Sequence, residues 1–91
     1  MNIEWDYEKA LLNAKKHGIT FEEAVTCFYD PLQVAFYDIE HSDDEIREIM
    51  IAHSENGQVL LVSYAVRNEI VRIISARLAT KRERKAYEEG I

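Results

Sequence analysis

The sequence predicts an α+β fold, a single domain over residues 1–91 with about four antiparallel strands, two helices before them and one after. Three observations predict it. Apolar residues recur at helical spacing between residues 7 and 29, the period falls to two between 32 and 76, and helical signals return after Thr80. Connections between the strand-like runs are of hairpin length, which favours antiparallel neighbours with the helices as their cover. A chain of 91 residues can bury one modest core and is too short for two.

The first helix is expected over residues 7–17. Asp6 precedes it with a short side-chain oxygen that can accept from the free N–H groups of the first turn, and Gly18 follows it as the residue best suited to a left-handed ending. Tyr7, Leu11 and Ala14 form its apolar stripe. Lys9, Asn13 and Lys16 form a polar row, with His17 one turn beyond Asn13, and this row reads as a wet face or as the wall of a groove. Thr20 and Glu23 have the spacing of a capping box, and Phe21, Ala24, Val25 and Phe28 continue as a second amphipathic helix to about Tyr29. Asp30-Pro31 ends it, because the proline ring disfavours helical geometry in the residue before it.

Leu32, Val34 and Phe36 then alternate with Gln33, Ala35 and Tyr37, as a strand with one face on a core would. A polar loop, 40–44, leads to a second strand over 46–53, and Ser54-Glu55-Asn56-Gly57 makes a turn. Val59-Leu60-Leu61-Val62 is apolar on both faces and is expected at the centre of the sheet. A tight turn near Arg67-Asn68 leads into a fourth strand from Ile70 to Ala76. Thr80 and Glu83 repeat the capping-box spacing and begin a last helix that closes at Gly90.

Composition excludes several classes. No run approaches the roughly 20 apolar residues that span a bilayer, and the acidic opening lacks the basic end of a signal peptide, so a cytoplasmic protein without membrane partners is expected. Cys27 is the sole cysteine, which rules out an internal disulfide, a cysteine-based zinc site and a CxxC pair; a packed, reduced thiol is expected. His41, Asp43, Asp44 and Glu45 resemble a metal cluster in composition only, since ligands crowded on one loop lack a recurring spacing. That segment reads as a solvated loop, His53 as a strand-end residue, and no cofactor or metal is expected. The net charge of −6 argues against phosphate binding, but it is unevenly spread. Residues 1–66 hold 4 basic and 13 acidic side chains, whereas residues 67–85 hold 7 basic and 2 acidic. Such a patch can hold a phosphate chain, or it can be a solvated, salt-bridged helix.

A further pattern lies in the order of short segments: Glu4-Trp5-Asp6, Lys9, Asn13, Lys16-His17-Gly18-Ile19, Phe21-Glu22-Glu23-Ala24, Asp30-Pro31, His41-Ser42, Arg47 and Arg72-Ile73-Ile74-Ser75-Ala76-Arg77, followed by Ala79-Thr80 and Glu83-Arg84. Together they resemble the BrnT family of small bacterial toxins over nearly the whole chain. The resemblance implies a RelE-like fold, ribonuclease activity that arrests growth, and neutralisation by a BrnA-type antitoxin with a ribbon-helix-helix DNA-binding part, so that DNA would be met only through the antitoxin. Where the family often has Thr-Glu before Arg67 and Gly after it, this chain has Ala65, Val66 and Asn68. Loss of the acid at 66 leaves a second reading open, a non-catalytic module that binds a DNA-binding antitoxin and tunes repression of their operon.

Metal-free RNA cleavage requires removal of the 2′-hydroxyl proton, stabilisation of charge on phosphorus and protonation of the leaving oxygen. Arginine suits the second task, since its planar fork matches phosphate oxygens. Arg67 and Arg77 are the leading candidates, and Lys9, Lys16, Arg72, Lys81, Arg82 and Arg84 are candidates for binding RNA. In a regular strand Arg72 and Arg77 would face opposite sides, so either a bulge turns one of them or only one is in the site; Arg77 ranks above Arg72 because it lies at the strand end, where reach is easier. His17 and Tyr64 are candidate acid–base groups. Each also has a plainer role, His17 as a helix cap and Tyr64 as sheet packing.

Overall fold

The structure, a computed structural model, describes residues 1–42 and 45–90. Its elements run β1 (Asn2–Glu4), α1 (Tyr7–His17), α2 (Phe21–Cys27), β2 (Val34–Tyr37), β3 (Ile46–His53), β4 (Val59–Arg67), β5 (Ile70–Leu78) and α3 (Lys81–Glu89), with a short 3-10 turn at Ile39–His41. The caps are those the sequence implies. Asp6 accepts from the N–H groups of Glu8 and Lys9, Thr20 from Glu23, and Thr80 and Glu83 form a reciprocal capping box. Gly18 and Gly90 end α1 and α3 at φ 72° and 73°.

The sheet has five strands rather than four and is mixed rather than antiparallel, in the order β1-β5-β4-β3-β2. β1 is the addition. It pairs in parallel with residues 70–72 of β5, and three residues are too few for a period of two to show in sequence. β4 also runs on past Val62 to Arg67, and the hairpin turn falls on Asn68 and Glu69, both at positive φ, one residue later than expected. Asp43 and Asp44, part of the loop read as solvated, lie outside the described residues.

Two layers cover the sheet. Phe21, Ala24 and Cys27 of α2 share a buried cluster with Leu60, Val62 and Tyr64 of β4 and with Val71, Ile73 and Ala76 of β5. Ile51, Val59 and Leu61 point the other way and pack with Tyr87 of α3. Burial of side chains such as Phe21 and Leu60, both at 0% exposure, stabilises by about 1.5–3 kcal/mol each and fixes the alternation of β4. The open edge of β5 beyond β1 is filled by a side chain. The Asn13 amide donates to the Ala76 carbonyl at 2.8 Å and accepts from the Ala76 N–H at 3.1 Å, completing the ladder as a neighbouring strand would. Asn13 is therefore buried, not part of the wet row that its spacing suggests.

One irregularity positions the site. Ser63 of β4 faces Ser75 of β5, but the next pair is Tyr64 with Ile73, so Ile74 is an extra residue. This bulge offsets the odd spacing of Arg72 and Arg77, and both stand on the face shared with Ala65 and Leu61.

Candidate active site

The α3 side of the sheet is covered only over part of its length. Tyr87 packs where Ile51, Val59 and Leu61 end the sheet, and the half towards the β4–β5 turn carries Arg67 and Arg72, both exposed. There Arg47 of β3, Ala65 of β4, Arg72 of β5 and Glu4 of β1 stand in one row across four strands. The small Ala65 side chain leaves room between the arginines. Glu4, Glu45, Ala65, Arg67, Asn68, Ile70 and Arg72 line a pocket of about 120 Å³.

The charges in this pocket are nearly balanced. Nε of Arg72 lies 3.2 Å from the Glu4 carboxylate, and Nε of Arg47 lies 3.7 Å from Glu45, beyond hydrogen-bond distance. Among the described residues the Arg47 Nε is buried without a hydrogen-bond partner, a costly arrangement for a charged group. Among the same residues Glu4 engages Arg72 through Nε alone, and the two terminal amino groups of Arg72 make no hydrogen bond.

Arg77 is held differently. Its two terminal nitrogens donate to the two Glu83 oxygens at 2.8 and 3.0 Å, and one also reaches the Leu78 carbonyl. The Glu83 bond holds the Arg77 guanidinium pKa up, and the same bond keeps the Glu83 carboxyl below its ordinary value despite partial burial. Arg77 fastens β5 to the first turn of α3. Both terminal nitrogens of the candidate Arg77 are thus engaged by Glu83, whereas among the described residues Arg72 is paired only through Nε.

Tyr64 is on the opposite face of the sheet from Arg72. It is buried on the α2 side, edge-on to Phe28, and donates to Glu48 at 2.8 Å. Burial first, and then Glu48, raise its pKa beyond the ordinary tyrosine value. Lys9, Lys16 and His17 lie on α1, whose Ala10 packs into the α2-side cluster; among the described residues no hydrogen bond or ion pair joins them to Arg67, Arg72 or Arg77. Lys81, Arg82 and Arg84 are exposed on α3 and extend the cationic surface from Arg77. Val66, where the family often has an acid, is partly buried against the α2-side cluster. The acids of the pocket are Glu4 and Glu45, which sequence reasoning had met only in the Glu4-Trp5-Asp6 segment and in the loop read as solvated; Glu4 became visible at the site only through the pairing of β1 with β5.

The description "Ribonuclease toxin, BrnT, of type II toxin-antitoxin system" matches residues 5–83. This chain belongs to the BrnT family. The crystal structure of the Brucella abortus ribonuclease toxin BrnT is similar at 25% identity and a TM-score of 0.60, over 89% of this chain and 99% of that one. Comparison with curated proteins gives no match. BrnT membership makes the chain a ribonuclease toxin of a type II toxin-antitoxin system and implies an antitoxin partner. No helix among the described residues is long and apolar enough to cross a membrane.

Proposed function

We propose that this BrnT protein is a cytoplasmic, metal-independent endoribonuclease that arrests growth and is neutralised by a ribbon-helix-helix antitoxin covering its cationic segment. The observation that carries the reading is the row Arg47-Ala65-Arg72-Glu4, which sets arginines and a carboxylate side by side over a small floor. RNA lies along β5 and α3, between Arg67 and the exposed Lys81, Arg82 and Arg84. Arg67 and Arg72 hold the scissile phosphate and stabilise its added negative charge. Glu4 removes the 2′-hydroxyl proton, the 2′-oxygen bonds to phosphorus, and the bond to the 5′-oxygen breaks as that oxygen takes a proton from water or a protonated side chain. The products are a 2′,3′-cyclic phosphate and a 5′-hydroxyl.

Purified chain incubated with RNA, with and without EDTA, tests this directly. Cleavage that leaves cyclic phosphate ends and persists in the chelator supports the mechanism; activity that disappears with EDTA and returns with a divalent ion overturns it.

A further inference from the structure

β2 ends the sheet on the side away from β1, and its neighbourhood is unusually apolar for a surface. Leu32, Phe36, Tyr37 and Ile39 are 70%, 47%, 63% and 84% exposed within eight residues. The Asp38 N–H donates to the Arg47 carbonyl, and the β2–β3 register continues that pairing. By the alternation of antiparallel bonds, Val34 and Phe36 also bond inward to β3, and the backbone groups of Ala35 and Tyr37 point outward. Beside this edge runs a groove of about 460 Å³, floored by Val34, Phe36 and Ile51 and walled by Arg82, Glu83 and Ala86 of α3. Glu83 is neutralised there by Arg77, so Arg82 sets the sign of the groove.

We infer that the antitoxin docks here by adding an extended segment to the β2 edge, with alternate apolar side chains filling the groove and an acidic side chain against Arg82. The inference rests on the toxin reading for the identity of the partner. Backbone pairing at Ala35 and Tyr37 supplies affinity, and the groove supplies selectivity. A second copy of this chain fits poorly as occupant, because pairing two β2 edges about a twofold brings the cationic rims of both α3 helices, with Lys81, Arg82 and Lys85, towards each other. The edge is at the opposite side of the sheet from Glu4 of β1, although Arg47 of the row lies on the neighbouring β3, so Ala35→Pro separates docking from cleavage.

The test measures binding of the co-expressed antitoxin to the full chain by calorimetry, with Lys15→Glu on α1 as control. Ala35→Pro removes an outward N–H and blocks strand addition without touching the β3 ladder, Phe36→Asp spoils the groove floor, and Arg82→Glu reverses its charge. Each should weaken binding by about tenfold or more while Lys15→Glu does not. Thermal melting confirms that the variants are folded, and exposed Arg82→Glu has no folding liability. Parental affinity in all three overturns the inference, as does a dimer of the lone chain, seen by sedimentation, that Ala35→Pro abolishes. RNA cleavage by Ala35→Pro is expected at the parental rate. If parent and variant both fail to cleave RNA yet differ in antitoxin binding, the docking surface stands and the ribonuclease mechanism falls.

Discussion

Arg72 and Arg77 share one face of β5 although five positions separate them, because Ile74 is bulged out of the pairing with β4. They nevertheless differ in employment. Arg72 lines the pocket and among the described residues is paired only through Nε, whereas Arg77 is committed to Glu83.

Arg72→Ala should therefore lower RNA cleavage by about a hundredfold or more, comparable to loss of one preorganised donor. Arg72→Lys should rescue it poorly, since an ammonium keeps the charge but loses the fork. The check is cleavage rate set against melting temperature on the same preparations. Parental activity in Arg72→Ala would remove this arginine from the site.

Arg77→Ala should act mainly on stability. Glu83 also accepts from the Thr80 N–H, so losing either partner loosens the start of α3, at a cost of about 1–2 kcal/mol. Denaturant titration of both single variants and the double variant should show coupling. The pH dependence has a definite sign. Glu83 has a lowered folded-state pKa, so its contribution is present above the ordinary carboxylate range and is lost as pH falls through the folded value. Parent minus Glu83→Gln stability should shrink on acidification; a difference that grows would contradict the assigned pairing.

Tyr64→Phe should leave cleavage unchanged. It removes a hydroxyl that donates to Glu48 and none that faces the pocket, so a loss of about 1 kcal/mol in stability is expected. A large kinetic defect in a fully folded variant would return Tyr64 to the mechanism.

The hairpin turn offers a gain of stability. Asn68 and Glu69 adopt φ of 51° and 67°, and a glutamate there is strained where glycine is not. Glu69→Gly should stabilise the protein by about 0.5–1 kcal/mol, read as a higher denaturation midpoint.

Helices were legible in the sequence because caps are local: α1 occupies the expected 7–17, and Asp6, Thr20 and Thr80 all cap as their spacing implies, although Tyr7 and Leu11, read as the apolar stripe of α1, are exposed. The site was less legible because its parts meet across strands. Arg67 and Arg72 could be named from chemistry, but the carboxylate beside Arg72 comes from a strand of three residues, 68 positions earlier in the chain. Asn13 misled for the same reason. A polar side chain at an exposed-looking helical position bonds a strand backbone that no local pattern reveals.

That amide has a consequence for assembly. With β1 short and Asn13 occupying the rest of the β5 edge, the sheet has one side at which another strand can readily be added. A molecule with a single adhesive edge cannot propagate a filament of its own copies by edge-to-edge pairing, because each molecule has one such edge to give. Joining two such molecules uses up the adhesive edge of both, so growth by this route stops at a closed pair and leaves no template for a third.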